Sequence, residues 1–364
     1  MKKRQVALYD PYLDTLGGGE RHILSILKVL EGYGYDLTIF WDTNLAQDIE
    51  EKLHIGLRNK LTFLPNMFSS DTSRLQKMRV LRTFDLFIYV TDGSYFYSPA
   101  KNNYIFCMVP DRNLYHMGLI NKVKTYSATF IANSQFTQQR LNQWGIAARM
   151  LYPYVDEDYV RMDIKSMQKK PVILSVGRFF NHLHAKKQDE IINSFKKLKK
   201  THKEFSSFKL VLAGGLKKED TEYFSTLEKM IADDSSIELK PNISYKELQQ
   251  LYHTSLVYWH FTGYGVDENS TPQNVEHLGI TPLEAMASGC ITYCYNAGGP
   301  KEIINNGKNG FLFDNHEDLH KKMNWLITHK KELQIMRDEA KKTVKETFSY
   351  DIFTRNVKNI FNLS

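Results

Sequence analysis

The sequence predicts an α/β chain built from two parallel-sheet units. Three observations carry that prediction. Short β-rich runs alternate with helical stretches through both halves of the chain, 364 residues suffice for about two domains at roughly 150 residues each, and a content of 42% apolar and 24% charged residues is that of a globular protein. Strands separated by helices must run parallel, with both sheet faces covered, and therefore read as nearly continuous apolar runs.

In order, the first half offers the strand QVALYD (5–10) and the helix ERHILSILKVLEGYG (20–34), then strands DLTIFW (36–41), LTFLP (61–65), DLFIYV (85–90), NYIFCMV (103–109) and ATFIANS (128–134). The second half repeats the plan with PVILSVG (171–177), KLVLAGG (209–215), SIELKP (236–241), LVYWHF (256–261) and CITYCY (290–295). Between them LYPYVDEDYVRMDIKSMQKK (151–170) lacks apolar periodicity and reads as a linker. The stretch 316–361 is helical by period with a break near Phe348 to Asp351, and its last helix is expected to pack back on the first domain.

Several function classes are excluded by the same reading. No window reaches about 18 consecutive apolar residues, and Asp10, Pro11 and Asp14 interrupt the N-terminus before a signal-peptide core could form, so a cytoplasmic chain is expected. Three cysteines without a CxxC pair or histidine cluster argue against disulfides and structural zinc. The excess of 48 Lys+Arg over 41 Asp+Glu, net +7, suits a polyanionic partner, whether phosphorylated substrate, acidic membrane surface or nucleic acid. Lysine-rich pieces such as KKLKKTHK (196–203) read as solvated helix faces, and no nucleic-acid-binding motif accompanies them, so no nucleic-acid partner is expected.

Ligands in open parallel sheets bind beyond the carboxyl ends of strands. The first such loop, DPYLDTLGGGERH, places Gly17, Gly18 and Gly19 before a helix expected to begin at Glu20. It fits a flexible turn, or a close backbone approach to a phosphate or sugar at a helix N-terminus, and it is not the dinucleotide GxGxxG. The loop VGRFFNHLHAKKQDEIINSF (176–195) sets Arg178 and Lys186 around a helix start, which suits a diphosphate or a solvated helix entry. The loop VEHLGITPLEAMASG (275–289) is the most informative. Gly279 permits a tight approach, Thr281 suits the helix cap and Pro282 the first turn, so Glu276 sits in the loop and Glu284 one turn into the helix. Two carboxylates could then grip hydroxyls at opposite ends of one ligand, with the amides from Gly279 to Thr281 facing its phosphates.

The motif EHLGITPLE, followed by AMASGCITYCYNAGGPKEIINNGKNGFLF, closely resembles the C-terminal domain of retaining glycosyltransferases of family 4, which have the GT-B fold. GGGER, IANSQFTQQRLNQWG (131–145), LYPYVD (151–156) and VGR…KKQDEIINSF follow the same order, so the likeness covers nearly the whole chain. It implies two Rossmann-like domains facing a central cleft: an acceptor domain over 1–160 joined by the helix 350–364, and a nucleotide-sugar domain over 171–347. It further implies that Glu276 contacts the transferred sugar, Glu284 binds the donor ribose, and Arg178 and Lys186 hold the diphosphate. Gly18 and Gly19 would close over the donor, Gly279, Ile280 and Thr281 would offer amides, and Asn242 and Ile243 would flank the base.

The implied reaction moves a hexose, with a lean to mannose, from a nucleoside-diphosphate sugar to a glycan or lipid-linked acceptor in polysaccharide or glycolipid assembly. Retention is expected without metal or cofactor, the donor being a co-substrate. Many relatives carry a histidine just before the proline that this chain has in CMVPDR (107–112); here Met108 or Val109 occupies that region, and Asp111 or Arg112 is expected to contact sugar or acceptor instead. The loop 260–277 reads as a cover over the sugar or as a surface insertion. Alternatives to transfer are a non-catalytic nucleotide-sugar-binding protein and an epimerase or phosphorylase on the same fold; a nicotinamide dehydrogenase lacks its fingerprint. Finally, SSDTSRLQKMRVLRTF (69–84) mixes Arg74, Lys77, Arg79 and Arg82 with apolar residues, as an amphipathic core helix or a face for an anionic bilayer would, which makes a peripheral place on the inner membrane face the second localisation.

Overall fold

All strand pairing is parallel, in one seven-stranded and one six-stranded sheet. The computed structural model describes residues 3–57, 61–68, 72–161, 168–182 and 185–363. Contacts divide the chain into unit 1, Met1–Pro153 with Phe353–Ser364, and unit 2, Tyr154–Ile352.

Unit 1 holds β1 (Arg4–Tyr9), β2 (Tyr35–Phe40), β3 (Thr62–Leu64), β4 (Leu86–Val90), β5 (Asn102–Cys107), β6 (Ala128–Ala132) and β7 (Ala148–Met150), in the order β3-β2-β1-β4-β5-β6-β7. Its helices are α1 (Gly18–Gly32), α2 (Ala46–Leu53), α3 (Arg74–Leu81), α4 (Leu119–Lys124) and α5 (Gln135–Gln143). Every residue of β4, LFIYV, is buried, as a central parallel strand requires. Helix α1 buries Ile23, Leu24, Leu27 and Leu30, spaced for one helical face.

Unit 2 begins with α6 (Glu157–Arg161) and carries β8 (Lys170–Val176), β9 (Lys209–Gly214), β10 (Ile237–Pro241), β11 (Ser255–His260), β12 (Ile291–Tyr295) and β13 (Phe311–Phe313), in the order β10-β9-β8-β11-β12-β13. Helices α7 (Gln188–Thr201), α8 (Thr221–Ile231), α9 (Tyr245–Thr254), α10 (Ile280–Ala287), α11 (Pro300–Ile303), α12 (His316–Thr328) and α13 (Leu333–Thr347) intervene. The last helix, α14 (Tyr350–Phe361), crosses the division between the units. Trp259 on β11 is fully buried, and its indole N–H points at Met323 Sδ of α12 at 3.4 Å. The chain leaves β8 in one direction along the sheet and resumes it on the other side at β11, so the loops after these two strands flank a topological switch point.

Several expectations need correction. The linker expected over 151–170 starts with packed residues: Leu151, Tyr152, Tyr154, Val155 and Tyr159 are buried, Leu151 N–H bonds to Ala132 O at 2.9 Å, and Val155 N–H to Phe348 O at 2.8 Å. Residues 162–167 of that stretch lie outside the described ones. The amphipathic helix expected over 69–84 is the short α3, in which Leu81 is buried but Leu75 is 69% exposed, so its apolar residues do not share one covered face; residues 69–71 are outside the described ones. Helix α1 starts at Gly18 rather than Glu20. The three-residue edge strands β7 and β13 escape period analysis because so short a run shows no alternation.

Candidate active site

In unit 2, β8 is followed by Gly177, which lets two cations approach the switch point. Gly177 N–H bonds to Ala213 O at 2.9 Å, and a Cβ on Gly214 (φ 155°) would fall 2.1 Å from Gly177 O, so only glycine at 214 lets the two loops meet. A Cβ on Gly177 would lie 2.4 Å from Lys186 Cγ, which shows that the lysine stem crosses directly over this residue. The adjacent Arg178 is exposed, its guanidinium lies 4.5 Å from the Phe180 ring centroid, and its carbonyl accepts a 2.9 Å bond from Gln188 Nε2. The backbone thus fixes the root of the arginine while its charge stays free to move.

Across the switch point, β11 ends in His260, and the loop that follows returns to Glu276. Lys186 Nζ donates to Glu276 Oε2 at 2.6 Å, with each side chain only 17% exposed. His260 Nε2 lies 2.9 Å from the same oxygen. A carboxylate accepts only, so the imidazole carries its proton on Nε2. Burial works to raise the Glu276 carboxyl, but the Lys186 charge and the His260 hydrogen bond outweigh it and hold the group well below the usual carboxylate range. Burial lowers His260, so it stays neutral near pH 7. Both bonds fall on Oε2, which leaves Oε1 as the glutamate oxygen for a ligand hydroxyl.

The rest of this loop is held from beneath by the NAGGP segment. Gly299 N–H bonds to Glu276 O at 2.8 Å, and a Cβ on Gly298 (φ 65°) would lie 2.1 Å from that same oxygen. Gly298 N–H in turn donates to Glu268 Oε2 at 2.6 Å, and Glu268 also pairs with Lys301. The loop 260–277 is therefore anchored through Glu268 to the backbone that positions Glu276, with Phe261, Thr262 and Val275 buried.

Gly279 (φ 104°) occupies the cap position of α10, and Ile280 and Thr281 are its first two residues. Thr281 is thus not the cap expected from the sequence; it stands near the buried Tyr258, whose phenol donates to Val176 O at 3.4 Å. Glu284 is half-buried beside Tyr252, whose phenol is raised well above its ordinary value by burial and by the Glu284 charge. Asn242 adopts φ 52°; its N–H bonds to Gly214 O at 2.9 Å, and its side-chain amide accepts from Leu216 N–H at 2.8 Å and donates to Leu216 O at 3.1 Å. Its amide thereby ties down the loop after β9, and Ile243 beside it is half-buried.

In unit 1 the three glycines are not a flexible turn. Gly17 caps α1, Gly18 and Gly19 are its first residues, and Glu20 Oε2 accepts from Gly17 N–H at 2.7 Å. A Cβ on Gly19 would lie 2.5 Å from Met108 Sδ, so the residue standing in the region of the family histidine packs onto this helix start. Asp111 spends one oxygen on Asn113 N–H at 2.9 Å, and Arg112 is exposed. Asp10, at the end of β1, is fully buried; its Oδ1 accepts from Tyr12 N–H at 2.9 Å while Oδ2 has no partner. Burial, with Glu20 nearby, pushes its carboxyl up to about 7.

Lys186 and Glu276 therefore meet in one cluster, Arg178 adjoins it, and Gly279 to Thr281 continue from it along the chain. Sequence reasoning missed His260, which reads as core inside the apolar run LVYWHF; its place as the last strand residue before a polar loop was the available signal. Among the described residues, no three His, Cys, Asp or Glu side chains group as a metal site.

Known proteins carry the same plan. A glycosyltransferase from Rickettsia africae ESF-5 superposes over 100% of both chains with a TM-score of 0.73 at 16% identity. Anabaena Alr3699/HepE in complex with UDP and glucose does so over 98% of this chain and 99% of its own with a TM-score of 0.71 at 16% identity. Both likenesses speak to the fold. In sequence, the mouse GDP-Man:Man(3)GlcNAc(2)-PP-Dol alpha-1,2-mannosyltransferase is 27% identical over 86% of this chain and 77% of its own length. The human protein of that name is 30% identical over 54% of this chain but only 40% of its own length. The Kluyveromyces lactis alpha-1,3/1,6-mannosyltransferase ALG2 is 23% identical over 83% of this chain and 71% of its own. The model of the glycosyl transferases group 1 family matches residues 157–343, a span that takes in α6 through α13 with both loops of the switch point, and the chain belongs to that family.

Proposed function

We propose that the chain transfers a hexose, mannose in preference, from a nucleoside-diphosphate sugar to a hydroxyl of a glycan carried on a lipid, retaining the anomeric configuration without a metal ion or other cofactor. The observation that carries this reading is the Lys186–Glu276–His260 cluster at the switch point of a group 1 sheet. The names of the mouse and Kluyveromyces relatives supply the lean to mannose, and the mouse name, with its PP-Dol acceptor, supplies the lipid carrier. An acceptor of that kind puts the reaction at a membrane surface, on its cytoplasmic side.

The chemistry follows from the charges. Lys186 has three N–H bonds and spends one on Glu276, so the others can serve the donor diphosphate beside the Arg178 fork. As the glycosidic bond breaks, negative charge grows on the departing phosphate, and two positioned cations stabilise it. That phosphate takes the proton of the acceptor hydroxyl on the same face of the sugar. Glu276 orients the transferred sugar through Oε1, and Glu284 takes the donor ribose.

The test is a donor panel on the purified chain, read by thermal shift and by transfer to a lipid-linked oligosaccharide. GDP-mannose is expected to raise the unfolding midpoint most, since saturation at about 100 times Kd adds about 2.7 kcal/mol. The product should be the α-mannoside, formed equally in EDTA. Glu276→Ala should lose turnover far more than donor affinity, and Lys186→Ala or Arg178→Ala both. A shift without transfer makes the chain a nucleotide-sugar-binding protein, and turnover that needs free phosphate makes it a phosphorylase.

A further inference from the structure

Helix α4 in unit 1 is folded inside out. At roughly 100° per residue, Leu119, Val123 and Ile120 span about 100° of its surface, and they are 84%, 72% and 73% exposed. Tyr126, just past its end, is 93% exposed. The side away from this arc is polar: Asn121 Nδ2 donates to His116 O at 2.7 Å at the surface, and buried Thr125 donates its hydroxyl to Asn121 O at 2.8 Å. A surface helix of a soluble domain shows the opposite arrangement. Lys122 and Lys124 flank the apolar arc on either side by the same geometry.

The charge along the chain on either side of this helix has one sign. From Arg112 through Val155 the chain has five Lys or Arg and no Asp or Glu, so Asp111 is the last acidic residue before Asp156. Large aliphatic side chains turned outward between lysines, with a tyrosine at the edge, match the layered chemistry of an anionic bilayer: hydrocarbon below, phosphates above. A second copy of the chain fits poorly. A two-fold contact through a patch this small would set the lysines of one copy against those of the other. Nucleic acid would want stacking rings in place of leucine, isoleucine and valine.

We propose that Leu119, Ile120, Val123 and Tyr126 form a docking surface for an anionic lipid bilayer, with Lys122 and Lys124 at the phosphate level. The surface stands on exposure and charge alone; only its purpose, bringing the enzyme to a lipid-linked acceptor, rests on the function proposed above. No helix among the described residues is long and apolar enough to cross a membrane, so this contact would be interfacial. It also moves the membrane face away from 69–84, where the sequence had suggested it.

Flotation of the full chain with vesicles tests the proposal. The chain should float with phosphatidylglycerol-containing vesicles at low salt, much less with pure phosphatidylcholine, and less again in high salt, where charges separated by more than about 3 Å are screened at 1 M. The triple variant Leu119→Ser, Ile120→Ser, Val123→Ser should lower the bound fraction about tenfold, and Lys122→Gln with Lys124→Gln should remove the preference for anionic vesicles. Tyr126→Trp should shift its fluorescence to the blue on adding vesicles. A cooperative thermal unfolding transition near the wild-type midpoint, retained in every variant, shows that each is folded. Wild-type chain that stays out of the lipid fraction, or a triple variant that floats as well as wild type, overturns the assignment. So does a wild-type dimer that the triple variant dissolves without any lipid binding, because a second copy is then the occupant. If flotation succeeds but no nucleotide sugar shifts the midpoint, the docking surface stands and the transfer reading falls.

Discussion

His260 makes Glu276 a different group from a free surface glutamate. Its hydrogen bond and the Lys186 charge converge on one oxygen, so they set both the ionisation of the carboxylate and the direction of its second oxygen. His260→Ala should therefore reduce kcat by about 10- to 100-fold, the equivalent of the roughly 1.5–3 kcal/mol carried by a hydrogen bond to a charged group, with little change in donor KM. His260→Gln, which can still donate to Oε2, should recover part of the loss. Equal damage by both variants would reduce the histidine to a packing residue. Glu276 and Lys186 drew notice because they stand on glycine-bearing loops after buried strands, whereas an imidazole within an apolar strand carries no sign in the sequence that its partner lies sixteen residues on.

Asp10 gives this scale its pH dependence. Its carboxyl is raised from 3.8 to about 7, so between those values the folded chain holds a proton that the unfolded chain releases, and stability is lost as pH rises through the window. The buried His22 works in the other direction: lowered from 6.5 to about 3, it costs stability as pH falls below 6.5. Asp10→Asn preserves the bond to Tyr12 and removes the titration. Its advantage over wild type should grow by roughly 2–3 kcal/mol from about pH 5 to about pH 8, read from hydrogen exchange of the β1 amides. A pH-independent difference would mean that Asp10 ionises normally.

At the scale of elements, the central strands were readable because burial on both faces writes them as apolar runs, and LFIYV is the clearest case. Edge strands β7 and β13 were not, since three residues give no period and, unlike the equally short β3 within LTFLP, neither reads as part of a longer apolar run. The glycines divide in the same way. Gly17 to Gly19 attract notice as a run yet begin an ordinary helix, while Gly298 and Gly299 matter more, because the backbone beneath Glu276 leaves no space for a Cβ. That pairing joins segments more than twenty residues apart, so it appears only when the chain is folded. Helix α4 shows the reverse problem. Its six residues, LINKVK, hold ordinary spacing for a buried face, and only the fold reveals that this face is turned outward.

Across the whole molecule, the chain passes from unit 1 to unit 2 after Pro153 and returns after Ile352, so unit 1 is completed only by the segment Phe353–Ser364. Within unit 1, Phe361 packs on Tyr104 with ring centroids 4.2 Å apart, Phe353 lies 5.8 Å from His22, and Arg149 donates to Ile360 O at 3.3 Å. Phe353, Val357, Ile360 and Phe361 are all buried, at the spacing of one helical face. Truncating such an aromatic side chain costs about 3–5 kcal/mol, through lost transfer energy and the cavity left behind. Phe361→Ala should therefore destabilise unit 1 by about that amount, seen as faster hydrogen exchange in β5, whose Tyr104 meets Phe361 of α14 and whose Phe106 meets His22 of α1. The residues of unit 2 proposed above to hold a nucleotide sugar are not among the partners just named, so donor affinity should remain within about twofold of wild type at a temperature where both proteins are folded. A parallel loss of donor affinity would show that the returning helix shapes the donor site, and unchanged exchange in unit 1 would show that the helix is dispensable to the sheet on which it closes.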